Sequence, residues 1–187
     1  MMELDEEKLK EIAKPYFLSA RSGDWEHALR VVGWVKELGT NRDDLNLLVV
    51  AAYIHDIGWS GVAPTGKIDL DEMMGLEKKA NNNSSKLIFE VLTKLQFTDL
   101  EIKTVDRLVA AADRHRSEQE DEAVIVDADN LSKLCIEHLR EKYQPESFSK
   151  LINLWKKELA DRIRTRRGRE LFPKLLLELE QVIENAK

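Results

Sequence analysis

The sequence predicts an all-α fold, a compact multi-helix bundle built around one buried helix, on three observations. Glycine (8) and proline (4) are scarce in 187 residues, too few turn-formers for a many-stranded β protein. Leu, Lys, Glu and Ala dominate, and these are strong helix formers. Apolar residues recur at three- and four-residue spacing along most of the chain. Hydrophobic residues make up 43% and charged residues 34%, a globular rather than a disordered balance. The length is enough to bury a core without covalent staples. No repeat, low-complexity tract or long linker divides the chain, so residues 1–187 read as one domain.

The first helix is expected over Asp5–Ser22, with Ser22-Gly23 as its break and Asp24 placed to N-cap the next. In the second, Ala28, Val31, Val32, Val35 and Leu38 keep helical spacing and Gly39 ends it. A third starts near Asp43 and runs through Leu45-Asn-Leu-Leu-Val-Val-Ala-Ala-Tyr-Ile54 to His55. Only Asn46 interrupts its apolar character, so this helix should be buried nearly all round, with Gly58 as its stop. Residues Trp59–Asp69 hold Gly61, Pro64 and Gly66 and read as a loop. A weak helical pattern covers Leu70–Lys79. Asn81-Asn-Asn-Ser-Ser85 then reads as a break and a cap, before a helix through Leu87, Ile88, Val91, Leu92 and Leu95. Another follows Thr98 with Ile102, Val105, Leu108, Val109 and Ala112. From Ala123 to Leu139, Val124, Ala128, Leu131 and Cys135 share one stripe, which favours a helix over a strand at Ala123–Val126. One or two long helices fill the chain after Pro145, with Pro173 at a kink or in a first turn.

The net charge of -6 leaves no footprint for non-specific nucleic-acid binding. One basic cluster, Arg162-Ile-Arg-Thr-Arg-Arg-Gly-Arg169, is local. It reads as a solvated helix face or as a docking edge for an anionic substrate or partner. Cys135 is the only cysteine, so no intrachain disulfide is expected. Glu3, Asp5, Glu6 and Glu7 stand where a signal peptide has its basic region. No apolar run approaches the roughly 20 residues that span a membrane. A cytoplasmic location is expected, and homo-oligomerisation is left open.

The residues that carry chemistry begin with His55-Asp56, an imidazole and a carboxylate closing an apolar helix. A buried ionised carboxylate is costly unless it is paired or metal-bound, although an isolated His-Asp pair also serves to cap local backbone. His27 sits on the margin of the second helix's apolar stripe, where a satisfied core histidine is the ordinary occupant. Asp127 and Asp129 lie within Val124-Ile-Val-Asp-Ala-Asp-Asn-Leu131 and need a positive partner, yet no lysine or arginine lies in this stretch until Lys133. Imidazoles and carboxylates without thiolates suit one divalent ion (Mn, Fe, Co, Ni, Zn or Mg) at catalytic coordination. Such an ion polarises a phosphoryl oxygen and lowers the pKa of its bound water, the chemistry of phosphoester hydrolysis.

Three strings carry a resemblance: Asp24-Trp-Glu-His-Ala-Leu-Arg-Val-Val32, Val50-Ala-Ala-Tyr-Ile-His-Asp-Ile-Gly58 and Val126-Asp-Ala-Asp-Asn-Leu131. In this order they resemble the HD-domain superfamily of metal-dependent phosphohydrolases. That pattern is a helical His, a His-Asp pair closing a buried helix, and a distant Asp. The similarity covers roughly residues 20–140. Arg164-Thr-Arg-Arg-Gly-Arg-Glu-Leu-Phe172 is similar to the closing helices of bacterial members, so helices within 147–187 are expected to pack on that core.

The resemblance implies metal ligands at His27, His55, Asp56 and Asp129, where periodicity alone leaves Asp127 and Asp129 open. It leaves Asp127 as an acceptor for a ligand histidine. It implies catalytic roles for His55 and Asp56, and for His115 as a phosphate contact or proton shuttle, with a solvated helix-end histidine as the plain alternative. Arg114 and Arg116 beside it are candidates for holding phosphate oxygens, with surface charge as the plain alternative. Many relatives follow His-Asp-x-Gly with lysine, and this chain has Trp59, one cation fewer and an aromatic wall suited to stacking a base. Several subfamilies carry a histidine where this chain has Asn81–Ser85. Asn82 is a poor ligand, which favours a single metal. His138, among Glu137, Arg140 and Glu141, reads as exposed. The expected function is hydrolysis of a small phosphoester or nucleotide by metal-bound water. The alternative is an HD-fold binding or regulatory module with little turnover.

Overall fold

The polypeptide starts helical because Asp5 accepts a hydrogen bond from the Lys8 N–H at 3.0 Å and caps α1 (Glu6–Leu18). The computed structural model describes residues 4–185. Among these residues it holds nine α-helices, and its only β pairing is two isolated bridges. α1 stops four residues short of the expected Ser22, where the Ser19 hydroxyl turns back onto the Tyr16 carbonyl at 3.0 Å.

α2 (Asp24–Leu38) is N-capped by Gly23 at φ 74°, not by Asp24. The Asp24 carboxylate is instead taken by Arg21 and Lys142. α3 (Leu45–Ile54) begins two residues later than expected and is buried at every position from Leu48 to Ile54. Its sequence shows no stripe because every side is covered. α2 packs against one side of it, α5 (Asp99–Asp113) against another and α6 (Glu120–Ser132) against a third. α5 opens on a capping box between Thr98 and Glu101, which satisfies two otherwise orphaned N–H groups.

Two segments differ from expectation. The polar run Asn81–Ser85 does not break the chain: α4 is one 25-residue helix, Leu70–Lys94. Asn83 finds its partners outside the helix, and Ser84 Oγ turns back onto the Ala80 carbonyl one turn earlier, an arrangement a helix tolerates. Asn83 donates to the carbonyls of Gly58 and Ser60 at 3.0 and 3.1 Å. Ser84 is buried against Gly58, where a Cβ would lie 2.3 Å from Ser84 Oγ. Gly58 is therefore a packing glycine inside a short 3-10 turn (Ile57–Trp59) rather than a helix stop.

The stripe from Ala123 to Cys135 is not one helix either. α6 ends at Ser132, and Cys135, extended at φ -142° and only half-buried, opens the short α7 (Ile136–Lys142). The change of direction carries His138 and Lys142 back toward α2. α8 (Phe148–Arg162) and α9 (Arg166–Glu184) complete the chain, with Pro173 well inside α9 and not in its first turn.

Two apolar clusters result. One gathers the inner faces of α1, α2, α3, α5, α6 and the second half of α4. The other joins Leu131, Leu134 and Leu139 to Leu151, Trp155 and Leu159 of α8. Trp34 and Leu38 of α2 touch both. The loop before α4 is pinned between them, since Ser22 N–H donates to Gly66 at 2.9 Å and Ile68 N–H to Lys142 at 3.0 Å. No helix among the described residues is long and apolar enough to cross a membrane.

Candidate metal centre

Where the two clusters meet, a cleft of about 110 Å³ opens on His27, His55, Asp56 and Asp129. α2 supplies His27, the end of α3 supplies His55 and Asp56, and α6 supplies Asp129. Both histidines are almost fully buried, at 1% and 3% exposure. Their Nε2 atoms face one another at 3.1 Å. Asp129 Oδ1 lies 3.1 Å from His27 Nε2 and 3.8 Å from His55 Nε2, and Asp56 Oδ2 stands 3.8 and 3.7 Å from the same nitrogens. His27, His55 and Asp56 together form a group whose ligand atoms all lie within 4.8 Å of one another.

The hydrogen-bond network assigns the protons. The Ser132 hydroxyl donates to the Asp129 carbonyl at 2.7 Å, so its oxygen accepts from His27 Nδ1–H at 3.0 Å. Burial first, and then the charge of Lys142, holds His27 well below the usual histidine range. Its ring is neutral, and Nε2 bears a lone pair. His55 Nδ1 donates to the Ala52 carbonyl at 2.9 Å, which likewise turns Nε2 toward His27. The His27 lone pair thus faces a carboxylate oxygen at 3.1 Å with no proton between them. Two acceptors at that distance repel unless a cation lies beside both. The donor set, nitrogen and carboxylate oxygen without sulfur, fits a divalent ion of the kind that takes imidazole and carboxylate together.

Asp129 keeps Oδ1 for the cleft and spends Oδ2 on Lys133, whereas Asp56 turns one oxygen, Oδ2, to the histidines and to two cations alike. Burial opposes ionisation of Asp129, but the charge of Lys133, 2.6 Å from Oδ2, outweighs it and holds the carboxyl well below the ordinary range. Asp56 is held low in the same way, with Lys142 and then Arg21 overcoming burial. Arg21 Nη2 and Lys142 Nζ reach its Oδ2 at 2.8 and 3.2 Å. Both cations are buried, and Asp24 ties them together, with Lys142 at 2.6 Å. Neither cation was singled out by sequence. Arg21 precedes the first matching string, and Lys142 lies beyond a helix break that the apolar stripe conceals.

Trp59 lines the cleft, but it is 6% exposed and the Arg21 guanidinium sits 3.7 Å over its ring. The ring therefore supports a cation, and that face is not open to a base. His115 stands at the mouth, half-buried, with Nε2 3.4 Å from Glu77. Arg114 and Arg116 are exposed and do not line this cleft. Asn82 is exposed as well, and Asn81 faces the cavity in its place.

Asp127 serves no ligand histidine. Its carboxylate accepts from the N–H groups of Arg164 and Thr165 at 2.9 and 2.7 Å and from the Thr165 hydroxyl at 2.6 Å, fastening the start of α9. His138, expected at the surface, is 1% exposed and lines the cleft. Its ring lies 4.7 Å from that of His27, edge to face, and neither of its nitrogens has a partner in the protein. Burial, then the neighbouring His27 and Lys142, keeps it neutral. The sequence signal for His138 was its position one helical turn before Lys142, visible only once α7 is a separate helix. Asp113 also lines the cleft, and burial together with the charge of Asp56 pushes its carboxyl up to about 7.

Comparison with curated proteins and with solved structures gave no match. Comparison with protein families matches residues 24–134 to the HD domain, a span from the first residue of α2 through the turn after α6. That span is more than half of the chain and contains His27, His55, Asp56 and Asp129. An all-α bundle, a His-Asp pair closing its buried helix and a family match across those helices agree, and the chain belongs to the HD domain family.

Proposed function

We propose that this cleft hydrolyses a phosphoester or phosphoanhydride of a small molecule, nucleotides included, with one divalent ion held by His27, His55, Asp56 and Asp129. The observation that carries this reading is the meeting of the His27 lone pair with Asp129 Oδ1 at 3.1 Å, beside His55 and Asp56. A divalent ion bound there would supply Lewis-acid activation of the phosphoryl group and of the attacking water.

The chain's own residues do the rest. Arg21 and Lys142 bring two buried cations to the cleft, where they can share their hydrogen bonds between Asp56 and phosphoryl oxygens. They stand in for the lysine that many relatives carry at the place of Trp59. Bidentate guanidinium recognition suits a phosphoryl group, and stacking on Trp59 holds the Arg21 plane in one orientation. His115, at the mouth, is placed to hold or move a proton at the leaving-group oxygen. The apolar wall of Leu151, Leu154 and Trp155 limits access of bulk water, which strengthens each of these charge interactions.

The test pairs elemental analysis of the purified protein with phosphate release from a panel of phosphoesters and nucleotides. One equivalent of transition metal, Mn- or Co-stimulated release and loss of both with chelator are expected. Asp56→Ala is expected to abolish release while the helical signal survives. Undiminished release in Asp56→Ala would overturn the assignment. Tight ligand binding without turnover across the panel would favour a regulatory module.

A further inference from the structure

His115 belongs to two cavities. Besides the mouth of the cleft, it lines an open groove of about 520 Å³ together with Arg116, Ser117, Lys157, Asp161, Arg162 and Arg164. The loop after α5, the last turns of α8 and the turn into α9 meet there, so the basic cluster beginning at Arg162 has a place in the fold. The groove also holds Glu158 and therefore collects four cations against two carboxylates, on a chain whose net charge is -6. Arg162 is engaged by Glu158. Arg116, Lys157 and Arg164 are exposed and have no ion-pair partner among the described residues.

The wall between the two cavities is unusual. His115 is the residue after the C-cap of α5 and adopts φ 52°. A left-handed backbone there is ordinarily filled by glycine, because a Cβ adds strain. Its Nδ1 is buried with no partner in the protein. The chain therefore carries a strained residue whose imidazole is held by Glu77 through Nε2 and leaves Nδ1 unused, at the point where a small enclosed cleft joins a wider basic groove.

We propose that this groove is a second anion subsite, which takes the outer phosphates of an oligophosphate chain whose reacting phosphoryl group lies in the cleft. This rests on the phosphohydrolase reading of the cleft and narrows its substrate class to compounds with a run of linked phosphates, such as nucleoside triphosphates, over simple monoesters. Exposed Arg and Lys side chains suit this role, because successive phosphates present negative charge at short intervals and guanidinium groups grip them in pairs. The acidic remainder of the molecule disfavours a nucleic-acid backbone, which needs a longer basic track.

The test is calorimetric titration of the full chain, in excess Mg²⁺, with orthophosphate and with tripolyphosphate. Tripolyphosphate is expected to bind at least tenfold more tightly. Arg116→Ala/Arg164→Ala is expected to erase that margin, leave orthophosphate affinity within twofold and leave Tm unchanged, since both side chains are exposed. Equal affinity for the two anions, or a margin that survives the double substitution, overturns the groove. So does stronger competition by a single-stranded oligonucleotide than by a nucleoside triphosphate. A tripolyphosphate preference in a chain that turns over no phosphoester supports the groove while the hydrolase reading falls. Turnover without any preference for chain length does the reverse.

Discussion

α6 buries two carboxylates two residues apart, and its two sides use them in opposite ways. A step of two residues turns a side chain roughly 200° around a helix, so Asp127 faces α9 and Asp129 faces the cleft. Around Asp127 every neighbour is a donor: two backbone N–H groups and one hydroxyl within 2.9 Å. Around Asp129 one oxygen meets Lys133, and the other meets the imidazole of His27, which has no proton to give. A carboxylate enclosed by donors fastens structure. A carboxylate that confronts a lone pair is one that a cation completes.

The largest effects should separate the two. Asp129→Asn is expected to lower bound metal from one equivalent to under about a tenth and phosphate release by roughly 100-fold, the range over which loss of metal-site partners acts. Its fold should survive, because Lys133 loses only a partly exposed ion pair. Asp127→Ala should do the opposite: lose about 2–4 kcal/mol in urea unfolding, since hydrogen bonds to a charged acceptor are strong and their buried donors are then orphaned. Its metal stoichiometry should stay at one. Metal loss in Asp127→Ala with full stability would reverse the assignment of the two faces.

A smaller blow to the α9 face comes from the opposite partner. A Cβ on Gly168 would lie 2.6 Å from Asp127 Oδ2 and 2.8 Å from Thr165 Oγ1. Gly168→Ala must therefore push the fastening apart, at a cost of about 1–3 kcal/mol as for other overpacked sites. The gain of helix propensity from Gly to Ala, about 1 kcal/mol, opposes it. A net rise in Tm would show that the contact relaxes and that Asp127 is held less tightly than its distances say.

The same contrast explains what could be read from the sequence. The core helices were legible because each has either an apolar stripe or, in α3, an unbroken apolar run. The four cleft residues were legible because they sit in three strings whose order is more specific than any one of them. Asp127 was not, since its donors come from Arg164 and Thr165, 37 and 38 residues away, and no local pattern announces a partner that distant. The break at Lys133–Cys135 was hidden by apolar residues that happen to continue the stripe into the second cluster. His138 and Lys142 were lost with it, and so was the charge balance of the cleft. Asn81–Ser85 failed for the converse reason: Asn83, in a run that favours a cap, is satisfied by the carbonyls of Gly58 and Ser60 on a neighbouring segment.

Asp113 extends the comparison to a carboxylate that faces the cleft without a cation of its own. Its carboxyl is pushed up to about 7 by burial and by Asp56, so the folded chain holds a proton there that the unfolded chain has released. An acid with a raised pKa costs stability as pH rises from its ordinary value of 3.8 toward 7, and the cost is constant above that. Asp113→Asn in the metal-free protein should therefore match wild type in Tm near pH 4 and exceed it increasingly up to pH 7. A bound divalent ion should shrink the difference, because it offsets the charges of Asp56 and Asp129. Parallel Tm curves from pH 4 to pH 8 would remove Asp113 from the cleft's charge balance.

The smallest effect tests whether a residue can be costly to the fold and useful to the site. His115 closes α5 in a left-handed conformation, with its own N–H on Ala112 and that of Arg116 on Ala111, at 2.9 and 3.1 Å. Glycine fits this turn without the Cβ clash, so His115→Gly should stabilise the chain by about 1 kcal/mol, a rise of a few degrees in Tm. The imidazole that Glu77 holds at the mouth would be gone, and phosphate release should fall while metal content stays at one equivalent. Asparagine, which tolerates the same backbone but cannot carry a proton at neutral pH, should match glycine in activity and lie between glycine and histidine in stability. If His115→Gly were both more stable and fully active, the strain would have no chemical counterpart, and the mouth of the cleft would need another proton carrier.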